Sequence, residues 1–113
     1  MALDITDNNI RLTRGDTAYI ELGVTDKETG EAYDFSNDLT RFSVKTDARS
    51  KHIVFQKTFA GATIKIEPED TKYLDFQTLK FDVHLIKPNG DVCTVIEDKD
   101  FVIAREEHSD GTA

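Results

Sequence analysis

Apolar residues in this chain recur at every second position, and that period of two limits the fold more than any other feature of the sequence. Over residues 78–86, Leu79, Phe81, Val83 and Leu85 alternate with Lys80, Asp82, His84 and Ile86. Successive side chains of an extended strand point to opposite faces, so such a run buries one face and wets the other. The same phase runs through residues 17–25, with Ala18, Ile20, Leu22 and Val24, and through 40–46, with Phe42 and Val44 inward. Residues 52–59 put Ile53 and Phe55 on one side with Phe59 in phase, and 63–67 offer Ile64 and Ile66. Segments 92–96 and 99–104 close the set, the second with Phe101 and Ile103 inward. Phe42, Phe81, Val83 and Phe101 sit mid-strand and are expected at the centre of the core.

Turn chemistry separates these runs. The loop Asp26-Lys27-Glu28-Thr29-Gly30 ends on a glycine free to take a positive φ. In Lys87-Pro88-Asn89-Gly90, proline fixes φ early and Asn-Gly supplies left-handed positions, which predicts a hairpin between 78–86 and 92–96. One short helical turn is expected near 68–74, where Pro68 suits a first-turn position and Glu69 and Asp70 suit a helix N-terminus. Roughly seven to eight short strands at about ten-residue spacing predict an all-β sandwich or small barrel. The expected organisation is a flexible N-terminus over 1–8, a single β domain over 9–104 and a polar C-terminal tail over 105–113.

Composition fits that reading. The 113 residues include seven Phe and three Tyr in spaced clusters, enough to build a core despite a charged fraction of 32%. No apolar run approaches the roughly 20 residues of a membrane span, and Met1-Ala2-Leu3-Asp4 lacks the basic start of a signal peptide. A cytoplasmic location at synthesis is expected. Fourteen basic residues against 22 acidic ones leave a net charge of −8. Along the sequence the cations Arg11, Arg14, Arg41, Lys45, Arg49, Lys51, Lys57, Lys65, Lys80 and Lys87 lie scattered among carboxylates. Such a chain is expected to bind neither nucleic acid nor membrane.

No constellation of residues calls for catalysis. Arg14-Gly15-Asp16 matches an integrin-binding tripeptide, but its plain reading is a glycine turn between two strands. His52, His84 and His108 share no ligand spacing, and Cys93 is the only cysteine, so no multi-cysteine metal site is possible. Asp98 with Asp100, and Asp34 with Asp38, bracket turns without the ordered ligands of a calcium loop. Cys93 lies within a strand, where a thiol behaves as a small apolar side chain. There is neither a nucleophile elbow nor a glycine-rich phosphate loop. The chain is expected to be no enzyme and to need no cofactor.

Some apolar residues break phase. Strand 92–96 reads Val-Cys-Thr-Val-Ile, apolar on both faces, and Val54, Ile86 and Val102 fall on faces otherwise polar. Burial on both sides, contact with another subunit, and scattered surface apolar residues each account for such positions. Val54, Ile86, Cys93, Val95 and Val102 are therefore the candidate interface residues.

The order of motifs also resembles a known family. Ile10-Arg11-Leu12-Thr13-Arg14-Gly15-Asp16-Thr17 precedes an alternating strand; Gly30, Tyr33-Asp34-Phe35 and Arg41-Phe42-Ser43-Val44-Lys45 follow. After Ile64 and Ile66 come Pro68-Glu69-Asp70-Thr71 and Phe81-Asp82-Val83. Over most of residues 8–104 this is similar to the immunoglobulin-like domains of phage and prophage tails, in particular the N-terminal domain of lactococcal-type upper baseplate proteins. Pro68-Glu69-Asp70-Thr71 also looks like the stretch before strand F of immunoglobulin variable domains, although the Cys…Trp…Cys core and the tyrosine corner are absent. The resemblance implies an immunoglobulin-like β-sandwich that serves as a virion building block. It carries over no catalytic residues, and it implies other tail or baseplate proteins, or a second copy, as partners. A carbohydrate- or host-surface-binding module is the alternative, against which stands the absence of Trp.

Overall fold

The structure, a computed structural model, describes residues 3–6, 8–25, 29–33, 37–47, 49 and 52–105. Eight strands and one helical turn follow in order: β1 (Leu3–Thr6), β2 (Asn9–Thr13), β3 (Ala18–Glu21), β4 (Leu39–Lys45), β5 (Ile53–Ala60), β6 (Thr63–Ile66), α1 (Pro68–Thr71), β7 (Gln77–Ile86) and β8 (Val92–Ala104). Six strands form one mixed sheet in the order β1-β2-β8-β7-β4-β5, and β3 pairs with β6 in a second, two-stranded sheet. Only β2 and β8 pair in parallel among these strands. The fold is an all-β sandwich. Its order β8-β7-β4-β5 has the connectivity of strands G-F-C-C′ of a variable-type immunoglobulin domain, with β3 and β6 standing as B and E.

The core lies between the sheets. Ala18, Ile20, Ile64 and Ile66 of the small sheet meet Phe42, Val44, Leu79, Phe81, Val83, Phe101 and Ile103 of the large one. Phe42 sits 5.3 Å from Phe81, 6.0 Å from Phe101 and 6.1 Å from Phe55, centroid to centroid, in tilted and edge-on arrangements. The packed rings give this core its bulk without a disulfide or a tryptophan. Alternation in β7 matches the sequence closely: Leu79, Phe81, Val83 and Leu85 are buried.

The short helix fastens the turn below it. Asp70 accepts the Glu67 backbone N–H at 2.7 Å, and its other contact, Lys57 Nζ at 2.7 Å, reaches in from β5. Thr71 is fully buried, and its Oγ1 accepts the Gly15 N–H at 2.8 Å. Gly15 carries φ +82° there, so Arg14-Gly15-Asp16 is a glycine turn tied to α1.

Four expectations need correction. Residues 3–6 are not a loose lead: β1 pairs with β2, Leu3 opposite Leu12 and Ile5 opposite Ile10. Four residues give too little alternation to notice, and Asn8, at φ +67°, makes the tight reversal. Segments 92–96 and 99–104 are one strand, because bulges near Val95 and Asp98 absorb the extra residues that otherwise end a ladder. Ile53 points outward and Val54 packs against the core, since β5 bulges between the partners of Val44 and Lys45. β3 stops at Glu21; Leu22 and Val24 keep the phase outside the ladder, and a Thr25–Ala32 bridge closes the loop. Of the tail, Arg105 is exposed and residues 106–113 lie outside the described residues.

Candidate functional site

The hairpin of β7 and β8 carries four of the five candidate interface residues, three of them, Ile86, Cys93 and Val95, at its turn end. Its turn is closed by Lys87 N–H to Asp91 C=O at 2.8 Å and Gly90 N–H to Lys87 C=O at 2.9 Å. Gly90 takes φ +92°, but Asn89 does not turn left-handed as the Asn-Gly pair predicts: with Gly90 bonded back to Lys87, Pro88 and Asn89 are the central turn residues and Gly90 alone fills the left-handed position. Beneath the turn, Lys87 donates to the Tyr33 hydroxyl, which donates to the buried Asp38. The Tyr33 contact, opposed by partial burial and reinforced by Asp38, holds the Lys87 pKa above its ordinary value.

Cross-strand register then decides which apolar side chains meet. Leu39, Ile86 and Val92 stand directly beside one another on β4, β7 and β8. They form a row on the sheet face turned away from the core, with Leu39 44% and Val92 54% exposed and Ile86 half-buried. Cys93 follows, opposite Leu85, and is exposed rather than packed as a small apolar residue.

Val95 and Ile96 turn inward to an apolar cleft of about 150 Å³ at this end of the sandwich. Ile20, Leu22 and Val24 form its other wall. Residues 92–98 of β8 pair with β7 on one side; among the described residues no strand occupies the other. That edge, with no described strand to pair its outward backbone N–H and C=O groups, lies beside an apolar slot, the ordinary template for an added strand.

An ion-paired clamp holds the bulge that shapes this edge. Asp98 has φ +54°, and its N–H donates to Asp82 Oδ1 at 2.8 Å. Lys45 Nζ lies 2.6 Å from Asp98 Oδ1 and 3.0 Å from Asp82 Oδ2. The hydrogen bond to Asp98 raises the Lys45 pKa, burial lowers it less, and Asp82 adds to the rise. Asp100 is occupied likewise by Lys80. These aspartates anchor a bulge and a strand pair; Asp34 lies outside the described residues.

The remaining candidates lie elsewhere. Val54 packs at the far edge strand, β5, where its out-of-phase position marks a bulge. Val102 sits at the other end of β8, between Arg11 and Thr78 in register. There the structure gathers what the sequence scatters: Arg14 and Arg105 both lie over the Phe76 ring. Leu39, Phe76 and Arg105 were not legible as site residues, because only strand register and chain reversal bring their partners alongside.

His52 precedes β5 and His84 lies mid-β7, its Nδ1 buried without a hydrogen-bond partner; His108 lies outside the described residues. Among the described residues no three His, Cys, Asp or Glu side chains are placed to hold a metal ion, and no helix is long and apolar enough to cross a membrane. Comparison with protein-family models, curated proteins and solved structures yields no match.

Proposed function

We propose that this chain is a non-enzymatic assembly module of a phage or prophage tail or baseplate, acting by protein–protein contact through the distal half of its β7–β8 hairpin. The observation that carries the contact is the edge of residues 92–98, flanked on that side by no strand among the described residues, beside the apolar cleft. Strand addition supplies backbone hydrogen bonds for affinity and a slot for one apolar side chain for selectivity. The exposed row of Leu39, Ile86 and Val92 adds apolar area, contributing roughly 25 cal/mol per Å² before association costs. The virion setting rests on the motif order from Ile10 to Phe81 and its likeness to tail modules.

Sedimentation velocity over a wide concentration range tests the reading, with the chain alone and mixed with proteins from adjacent genes. The expected result is cofactor-free association with itself or a neighbour. Val92→Glu and Leu39→Glu should weaken it while leaving the melting midpoint in place, because both side chains are exposed. A strict monomer that ignores those neighbours and binds an oligosaccharide would replace this reading with the carbohydrate-binding one.

A further inference from the structure

Three of the five arginines meet at the end of β8 remote from the hairpin. The Arg14 guanidinium carbon lies 4.1 Å from the Phe76 ring centroid and that of Arg105 lies 4.8 Å from it. Arg14 is fixed there by a 3.2 Å hydrogen bond from its guanidinium to the Leu74 carbonyl. Arg11 and Arg105 flank a shallow open groove floored by Val102, and Phe76 on its wall is 38% exposed.

Charge pairing is uneven over the surface. Lys45, Lys57, Lys65, Lys80 and Lys87 each have a carboxylate within ion-pair distance. Among the described residues Arg11, Arg14 and Arg105 have none, and neither have Arg41, Arg49, Lys72 and Lys99; only at this end, though, do two such cations share one ring. Two cations over one ring are each attracted by its face, yet they repel one another, and no carboxylate among the described residues lies within ion-pair distance of either. An anion in the groove removes that repulsion. On a chain of net charge −8, the rest of the surface turns an acidic partner away, so this island also fixes where it docks.

We propose that the groove between Arg11 and Arg105 binds a carboxylate-rich segment of a partner protein, with an apolar side chain of that segment on Val102 and Phe76. Planar guanidiniums match carboxylates in paired hydrogen bonds. The apolar floor favours a peptide over a bare phosphate. Three cations on so acidic a body are too few to hold a nucleic-acid strand against its repulsion. This site is separate from the hairpin edge and stands whether or not that edge makes the assembly contact.

Fluorescence anisotropy with the full chain tests it, using a labelled peptide of alternating Glu and Leu and the same peptide with Gln in place of Glu. The Glu peptide should bind, and raising salt from 50 to 500 mM should weaken it by about tenfold or more. The Arg11→Gln/Arg105→Gln double variant, whose side chains are exposed, should lose at least about tenfold with an unchanged melting midpoint. Equal binding of the Gln peptide, undiminished binding by the double variant, or no binding of the Glu peptide at millimolar concentration would overturn the proposal. Tighter binding of a single-stranded oligonucleotide than of the Glu peptide would overturn the class of partner.

Discussion

The two halves of β8 have similar apolar content and opposite surroundings. At one end, Phe101 and Ile103 stand between β2 and β7 and are 0% and 1% exposed. At the other, β7 is the only neighbour in the sheet among the described residues, and Val92 is 54% exposed. Burial is therefore set by what a strand lies beside. An apolar run fixes only that a strand needs covering, and the hairpin half is covered on one flank.

Three substitutions press on that contrast. Phe101→Ala removes a fully buried ring that touches Phe42 and Phe55, so it should cost about 3–5 kcal/mol. Urea denaturation reads this as a lower midpoint; a loss under about 1 kcal/mol would mean that the packed half is packed no better than the other.

Lys45→Met tests the clamp between the halves. It should cost about 1 kcal/mol, toward the surface-pair end, because the Asp98 side chain is 38% exposed. The raised Lys45 pKa gives the effect a sign with pH. The charged form is favoured in the folded state, so its contribution is complete below the ordinary lysine value of 10.5 and fades as pH rises through the higher folded value. The parent should thus lose its advantage over Lys45→Met above about pH 10.5, and an advantage that persists well into that range would remove the ion pair as its source.

Val92→Ala, at the exposed tip, should change stability by no more than about 0.5 kcal/mol in the same urea series. A larger loss would show that the isolated domain already buries this position.

How legible all this was in the sequence follows from where the period of two holds. It holds across β7 and β4, and there Phe42, Phe81 and Val83 fall at the centre as expected. It fails at bulges, where one added residue flips the phase of everything beyond it. Val54 stood out of phase in the sequence for that reason, and its stray position announced a bend in β5 rather than a surface for a partner. Val95 broke phase at a bulge too, but at its level β7 is the only strand beside β8 among the described residues, so the same signal points there to an open edge. Local spacing has no means to separate the two cases, because the difference lies in strands far away along the chain. The arginine cluster was hidden likewise: Arg11, Phe76 and Arg105 belong to three distant segments, joined by the parallel pairing of β2 with β8 and the antiparallel pairing of β7 with β8.

That parallel pairing also dictates an order of events. Asn9 accepts the backbone N–H of Asp100, a bond that spans 91 positions, and Ile10 and Leu12 find Phe101 and Ile103 beside them only across the same gap. A chain leaving the ribosome at about 5–20 residues per second makes β2 roughly 5–18 seconds before β8 exists to receive it. Through that interval Ile10 and Leu12 have β1 and not β8 beside them, and the larger sheet can close only when residues 100–104 have been made.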